Sequence, residues 1–236
     1  PGKVVAHATN PGDDLVAEQR MIGRGQQMRQ DRRDPRKRRI ALRKGFAQRI
    51  VAGALRLGMI ATVAPALLPL CLAALRQRFP RLQPGFVEDL TDILLRRLDD
   101  GALDAAVLAT APPDTGLREL PLYSEPFLVA MPRNHPLAKA ARVKMSALKD
   151  VHLLLLTDGH CLRDQALEVC AAAVPPQQID TSATSLETLV NLVGAGHGLT
   201  LVPALSARPS WEADPGVICR PLDAASASRL VRLVYR

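Results

Sequence analysis

From Leu55 onward the chain alternates short apolar stretches with helix-patterned segments, each bounded by proline, glycine or a capping residue. That alternation constrains the fold more than any other feature. It predicts a strand over 55–60, a loop at 61–65, and an apolar helix running to Phe79, where Pro80 stops it. A strand near 82–88 follows, irregular or at a sheet edge because of Pro84-Gly85. Thr91 is expected to cap a helix through Asp99, ended by Gly101, before a buried strand at 104–108. Strands at 117–123 and 127–131, a turn at 132–136, a short helix near 146–148 and an apolar strand at 151–156 come next. The scheme then repeats. One helix begins near Cys161 and ends before Pro175-Pro176; another opens on a capping box formed by Thr184 and Glu187 and ends at Gly196-His197-Gly198. Strands at 199–203, 217–222 and 230–235 close the chain. Alternation of this kind predicts an α/β protein with a mostly parallel sheet covered on both faces.

The first fifty residues break the pattern. They hold 13 Lys and Arg against 5 Asp and Glu, which leaves 18 of each sign in the rest, so the net charge of +8 lies in this leader and the body is neutral. Residues 1–53 are expected to be a basic linker, helical or partly disordered, broken at Pro35. Only this segment has the charge to contact nucleic acid. No apolar run approaches the roughly 18 residues that span a bilayer, and no signal peptide is visible, so a cytoplasmic protein without a membrane partner is expected. The chain begins at Pro1, from which an upstream part is expected to be missing. Cys71, Cys161, Cys170 and Cys219 form no CxxC or Cys/His cluster, which predicts no metal site. Gly194-Ala195-Gly196-His197-Gly198 follows a helix instead of opening one, so it is no dinucleotide fingerprint, and no cofactor is predicted.

Cys161 and Cys170 stand nine residues apart across a predicted helix. Nine helical residues rise about 13.5 Å and turn about 900°, which sets the two thiols on opposite faces. A disulfide needs Cα atoms within about 7 Å. A bond between these cysteines therefore requires the helix to unwind. Free cysteines are more often small core hydrophobes, the reading preferred for Cys71 and Cys219. At the first turn of its helix Cys161 would meet unpaired N–H groups and the positive dipole end, which favour a thiolate, with Arg163 and His160 adding to it.

Several stretches resemble the regulatory half of the LysR-type transcriptional regulators: Leu55-Arg56-Leu57-Gly58 leading into Thr62-Val63, then Gly101-Ala102-Leu103-Asp104-Ala105-Ala106-Val107, Arg133-Asn134-His135-Pro136-Leu137, and Gly196-His197-Gly198-Leu199-Thr200-Leu201-Val202-Pro203. The segment Asp158-Gly159-His160-Cys161-Leu162-Arg163-Asp164-Gln165-Ala166, with Cys170 beyond it and Ala183-Thr184-Ser185-Leu186-Glu187-Thr188-Leu189 further on, resembles the peroxide-sensing OxyR branch. The resemblance covers about residues 54–236 and implies two Rossmann-like subdomains of the type 2 periplasmic-binding-protein kind. Subdomain I would comprise 54–124 plus 229–236, and subdomain II 125–228. It further implies that Cys161 is the peroxidatic and Cys170 the resolving thiol, that Thr62, Thr91 and His160 surround hydrogen peroxide, and that Arg163 and Asp164 flank the reactive cysteine. Implied partners are a second copy of the chain in a dimer or tetramer, a thiol reductant of the glutaredoxin or thioredoxin type, and DNA through an upstream winged helix-turn-helix. That element and the family's final helix are missing from this sequence, and only residues 4–21 resemble the winged element's tail.

Three functions compete on these grounds. One is a regulatory domain switched by a Cys161–Cys170 disulfide. A second is a regulatory domain that binds a small organic effector without redox chemistry. The third is a thiol peroxidase, which would need a reductant-docking motif that the sequence does not supply; no enzyme is therefore predicted.

Overall fold

The first strand, β1 (Gly53–Ile60), pairs in parallel along its whole length with β2 (Leu82–Asp89) and over three residues with β3 (Ala105–Leu108). Between them run α1 (Ala64–Arg78) and α2 (Thr91–Asp99). The computed structural model describes residues 52–113, 116–171, 173–224 and 227–236. The expected basic linker thus lies outside the described residues. Residues Gly53–Arg236 form one unit.

β4 (Arg118–Pro132) is a single fifteen-residue strand where the sequence pattern suggests two. Its first half pairs antiparallel with β10 (Ser228–Tyr235), which itself runs antiparallel to β3. Its second half pairs antiparallel with β8 (Thr200–Pro203) and β9 (Val217–Asp223). A two-residue strand β5 (Val143–Lys144) lies beside β9, and β6 (Leu153–Leu156) pairs with β7 (Ile179–Ala183), both in parallel. The sheet is therefore mixed instead of mostly parallel. β4 and β10 carry the chain out of and back into the first β/α unit, and a returning strand without a crossover helix must run antiparallel.

Two helices complete the second half: α3 (Cys161–Cys170) and α4 (Leu186–Gly194). Two predicted caps sit one residue away from the observed ones. Leu90, not Thr91, is the N-cap of α2, and Ser185, not Thr184, caps α4 by accepting from the Thr188 N–H at 3.2 Å. Thr184 and Ser185 offer the same cap chemistry, whereas Thr91 already lies inside α2 and is preceded by Leu90, extended and without a side-chain cap bond.

Burial divides the interior into two clusters. One gathers Met59, Leu94, Leu98, Ala106, Leu108 and Val231 around β1, β3 and α2. The other gathers Phe127, Met131, Leu153, Leu156, Leu162 and Val193 around β4, β6 and α4. Helix α1 is apolar almost all round, yet only Ala64 is buried; Leu70 and Leu72 are exposed, and Cys71, predicted to be in the core, is half-exposed. A single helix face meets the sheet, so an apolar composition does not bury every apolar residue. Cys219 packs against the second cluster, as expected of a small hydrophobe.

Candidate functional site: a cysteine between two cores

Helix α3 begins on Cys161 and ends on Cys170, with His160 as its N-cap. Gly159, at φ +90°, turns the chain into that helix. A Cβ there would lie 3.0 Å from Leu90 Cδ1, so a side chain would be strained and would also press against the start of α2. This close approach brings elements from the two halves together at the thiol.

The two cysteines occupy different interiors. Cys161, 7% exposed, packs into the first cluster, with Leu94, Ala109 and Val231 among its members. Cys170, fully buried, belongs to the second, together with Leu162 and Ala166 from the same helix. The helix also reaches across through Gln165, whose Nε2 donates to the Ala109 carbonyl at 2.8 Å. α3 therefore ties the two cores together.

A narrow pocket opens at Cys161, lined by Thr62, Asp89, Leu90, Thr91, Gly159 and His160 among others. Its volume of about 10 Å³ is room for a single water-sized molecule. Four predicted residues, Thr62, Thr91, His160 and Cys161, meet in it. Arg163 and Asp164 do not line it. Arg163 turns to carboxylates: its Nε lies 3.1 Å from Asp158 Oδ1 without hydrogen-bond alignment, and its Nη1 donates to Asp164 Oδ1 at 3.5 Å.

The cation that acts on Cys161 is instead Arg229, on β10. Its Nε donates to Glu125 Oε2 at 2.9 Å, its Nη1 to Thr62 Oγ1 at 2.9 Å, and its Nη2 to the Thr62 carbonyl at 3.1 Å. Glu125 also accepts from the Leu205 N–H at 2.8 Å, and Ser206 Oγ donates to the Thr62 carbonyl at 3.3 Å. Arg229 and Glu125 face each other in register across β10 and β4 and are both almost wholly buried. The sequence analysis missed them. Nothing in the sequence singles them out: Glu125 shares β4 with Arg118 and Glu119, Arg229 shares β10 with Arg232, and the two lie 104 residues apart.

Burial pushes the Cys161 thiol above its ordinary pKa, opposed first by the Arg229 charge and then by the Thr91 hydroxyl; nearby Asp164 raises it further. The expectation of a thiolate already favoured in the resting state is thus corrected: desolvation of the charged form outweighs the helix end and the cation. Thr91 Oγ1 is buried without a formed hydrogen bond, so its effect on the thiol is that of a nearby dipole. Burial likewise lowers the His160 pKa, with an interaction at the Thr184 backbone opposing it, so its surroundings favour the neutral ring. Cys170 is pushed up to about 11 by burial alone. Chemically, one thiol has a cation, two hydroxyls and a small opening beside it, whereas the other has only hydrocarbon.

Residues 48–236 match the model of the LysR substrate binding domain. The chain belongs to that family. A LysR substrate-binding domain of this sequence is 44% identical over 186 residues to the hydrogen peroxide-inducible genes activator of Pectobacterium carotovorum subsp. carotovorum. The match covers 79% of the present chain and 61% of that relative, so the chain spans less than two thirds of the relative's length. Among solved structures it is similar to the reduced form of OxyR, with a TM-score of 0.70 at 42% identity, covering 78% of this chain and 86% of that one. The oxidized form of OxyR gives a TM-score of 0.69 at 44% identity, covering 79% and 87%. The mixed α/β architecture of this LysR domain is that of the OxyR regulatory domains, and no helix among the described residues is long and apolar enough to cross a membrane.

Proposed function

We propose that this chain is the redox-sensing regulatory domain of a transcriptional regulator, responding to hydrogen peroxide through Cys161 and Cys170. The observation that carries this reading is the placement of the two cysteines at opposite ends of one helix and in two separate cores. In the proposed reaction the Cys161 thiolate attacks one peroxide oxygen, the O–O bond breaks, and hydroxide leaves, giving a sulfenic acid. The Cys170 thiol then attacks the Cys161 sulfur, and water departs as the disulfide forms. Thr62, Thr91 and His160 would orient the peroxide, and Arg229 would stabilise the thiolate as it forms. A thiol reductant would return both cysteines to the reduced state.

The disulfide cannot coexist with the intact helix, so oxidation would withdraw Cys161 from the first core and alter how two copies of the domain pack. Through an attached DNA-binding part, that change would become the output. Stoichiometric peroxide followed by disulfide mapping tests this reading in the wild type, Cys161→Ser and Cys170→Ser. A Cys161–Cys170 bond in the wild type alone, with a trapped sulfenic acid in Cys170→Ser, supports it. Absence of that bond in the wild type contradicts it. Rapid repeated peroxide turnover with thioredoxin would instead favour a peroxidase.

A further inference from the structure

Helix α2 starts without the kind of side chain that usually starts a helix. Its N-cap is Leu90, which makes no side-chain cap bond, and leucine is among the poorest caps. The turn must therefore be fixed from elsewhere, and it matters because the next residue, Thr91, lines the cysteine pocket. Thr91 Oγ1 is buried and makes no hydrogen bond among the described residues, so only the backbone beneath it sets its position. Asp89 holds that backbone. Its Oδ1 accepts from the Leu90 N–H at 2.9 Å, and its Oδ2 lies 3.4 Å from Nη2 of Arg97, further along α2. Asp89 also ends the register of β2 on β1, where it stands opposite Ile60, two residues before Thr62. On its other side the turn borders the loop entering Cys161, since a Cβ at Gly159 would lie 3.0 Å from Leu90 Cδ1.

Asp89 is thus on the pocket wall, with its two carboxylate oxygens turned to the Leu90 backbone and to Arg97. The charges that act on the thiol are those of Arg229 and Asp164, not that of Asp89. The Asp89–Arg97 pair is partly exposed, with the Arg97 side chain at 43%, so its contribution to stability is small. What it restrains is direction: a carboxylate engaged at both oxygens is held against the N–H it accepts from. We propose that Asp89 is a positioning residue for the peroxide reaction, fixing the Leu90 turn and with it the Thr91 hydroxyl beside the thiol. The assignment rests on the redox reading of Cys161. Asp89 takes no part in the proton transfers; it acts through Thr91. In a pocket with room for one small molecule, a displaced hydroxyl changes the angle at which the O–O bond meets the sulfur, and misplacement of that kind slows a reaction.

The test measures Cys161 sulfenic acid formation by dimedone trapping in the full chain carrying Cys170→Ser, with iodoacetamide alkylation of Cys161 as a control that needs no peroxide. Asp89→Ala should slow the peroxide reaction about tenfold while alkylation stays within about threefold of the parent. Asp89→Asn keeps an acceptor for the Leu90 N–H and should restore most of the rate. Arg97→Met, at a partly exposed position, should slow the reaction about two- to threefold with the urea midpoint nearly unchanged. The combination with Thr91→Val is decisive: Asp89→Ala should add no further slowing in that background, whereas independent roles would multiply. A peroxide rate in Asp89→Ala equal to the parent's, equal slowing of alkylation, no rescue by Asp89→Asn, or multiplying effects with Thr91→Val would overturn the proposal and leave the redox reading standing. A parent that forms no sulfenic acid would overturn both.

Discussion

The two ends of helix α3 carry the same side chain in opposite surroundings. At its start, Cys161 touches the core built on β1 and β3, beside a buried guanidinium, two threonine hydroxyls and a pocket large enough for one small molecule. At its end, Cys170 is sealed among Leu162, Ala166 and the strands of the other core, with no polar group to help it ionise. The contrast teaches that packing distinguishes two identical side chains on one helix: one thiol borders a pocket, and the other is sealed inside a core.

The severest way to break this comparison is to remove what favours the first end. Arg229→Ala leaves Glu125 buried without its partner and should cost about 3–5 kcal/mol, read as a drop in the urea midpoint. Pairing Arg229→Met with Glu125→Gln should restore much of that stability but not the reactivity of Cys161, which separates the structural role of the ion pair from its effect on the thiol. A smaller effect is expected in the native protein itself. At pH 7.5 iodoacetamide should modify Cys161 at least about 100-fold faster than Cys170, and in denaturing urea the two rates should converge. The Cys161 rate should keep climbing beyond pH 8.5 without a plateau, because burial holds its pKa above the usual thiol value.

Milder still, Gln165→Ala removes the tether to the Ala109 carbonyl and should cost about 1 kcal/mol while speeding disulfide formation, since the helix is then less firmly held to the first core. The smallest effect concerns alkaline stability. Folding raises the pKa of Cys161, Cys170 and Cys219, the last also to about 11, so the folded state holds its thiol protons more tightly than the unfolded chain. Stability from this source is complete below the unfolded thiol value of about 8.5 and falls as pH rises toward 11; between pH 7 and 8.5 the loss should be about 1 kcal/mol.

Much of this was legible in the sequence, because its signals are local. Proline and glycine punctuation gave the helix ends, alternation gave most strands, and the nine-residue spacing gave the conflict between helix and disulfide without coordinates. What escaped depends on contacts between distant segments. The Arg229–Glu125 pair forms only once β10 returns beside β4, and no local pattern announces it. Nor does the amphipathic pattern of α3 say that its first residue belongs to one core and its last to another, since both positions simply read as apolar. The expected thiolate failed for the same reason: a helix N-terminus is visible in sequence, whereas the burial that outweighs it is not. The α4 cap shifted by one residue because Thr184 and Ser185 are chemically equivalent until the backbone chooses between them.

The central claim, that the bond and the helix exclude each other, is tested most directly by backbone hydrogen exchange of the fully reduced and the stoichiometrically oxidised protein. On formation of the Cys161–Cys170 disulfide, amides of residues 161–170 should lose their helical protection while those of β4 and β10 keep theirs. A protein that carries the disulfide and still protects residues 161–170 as in the reduced state would contradict the account.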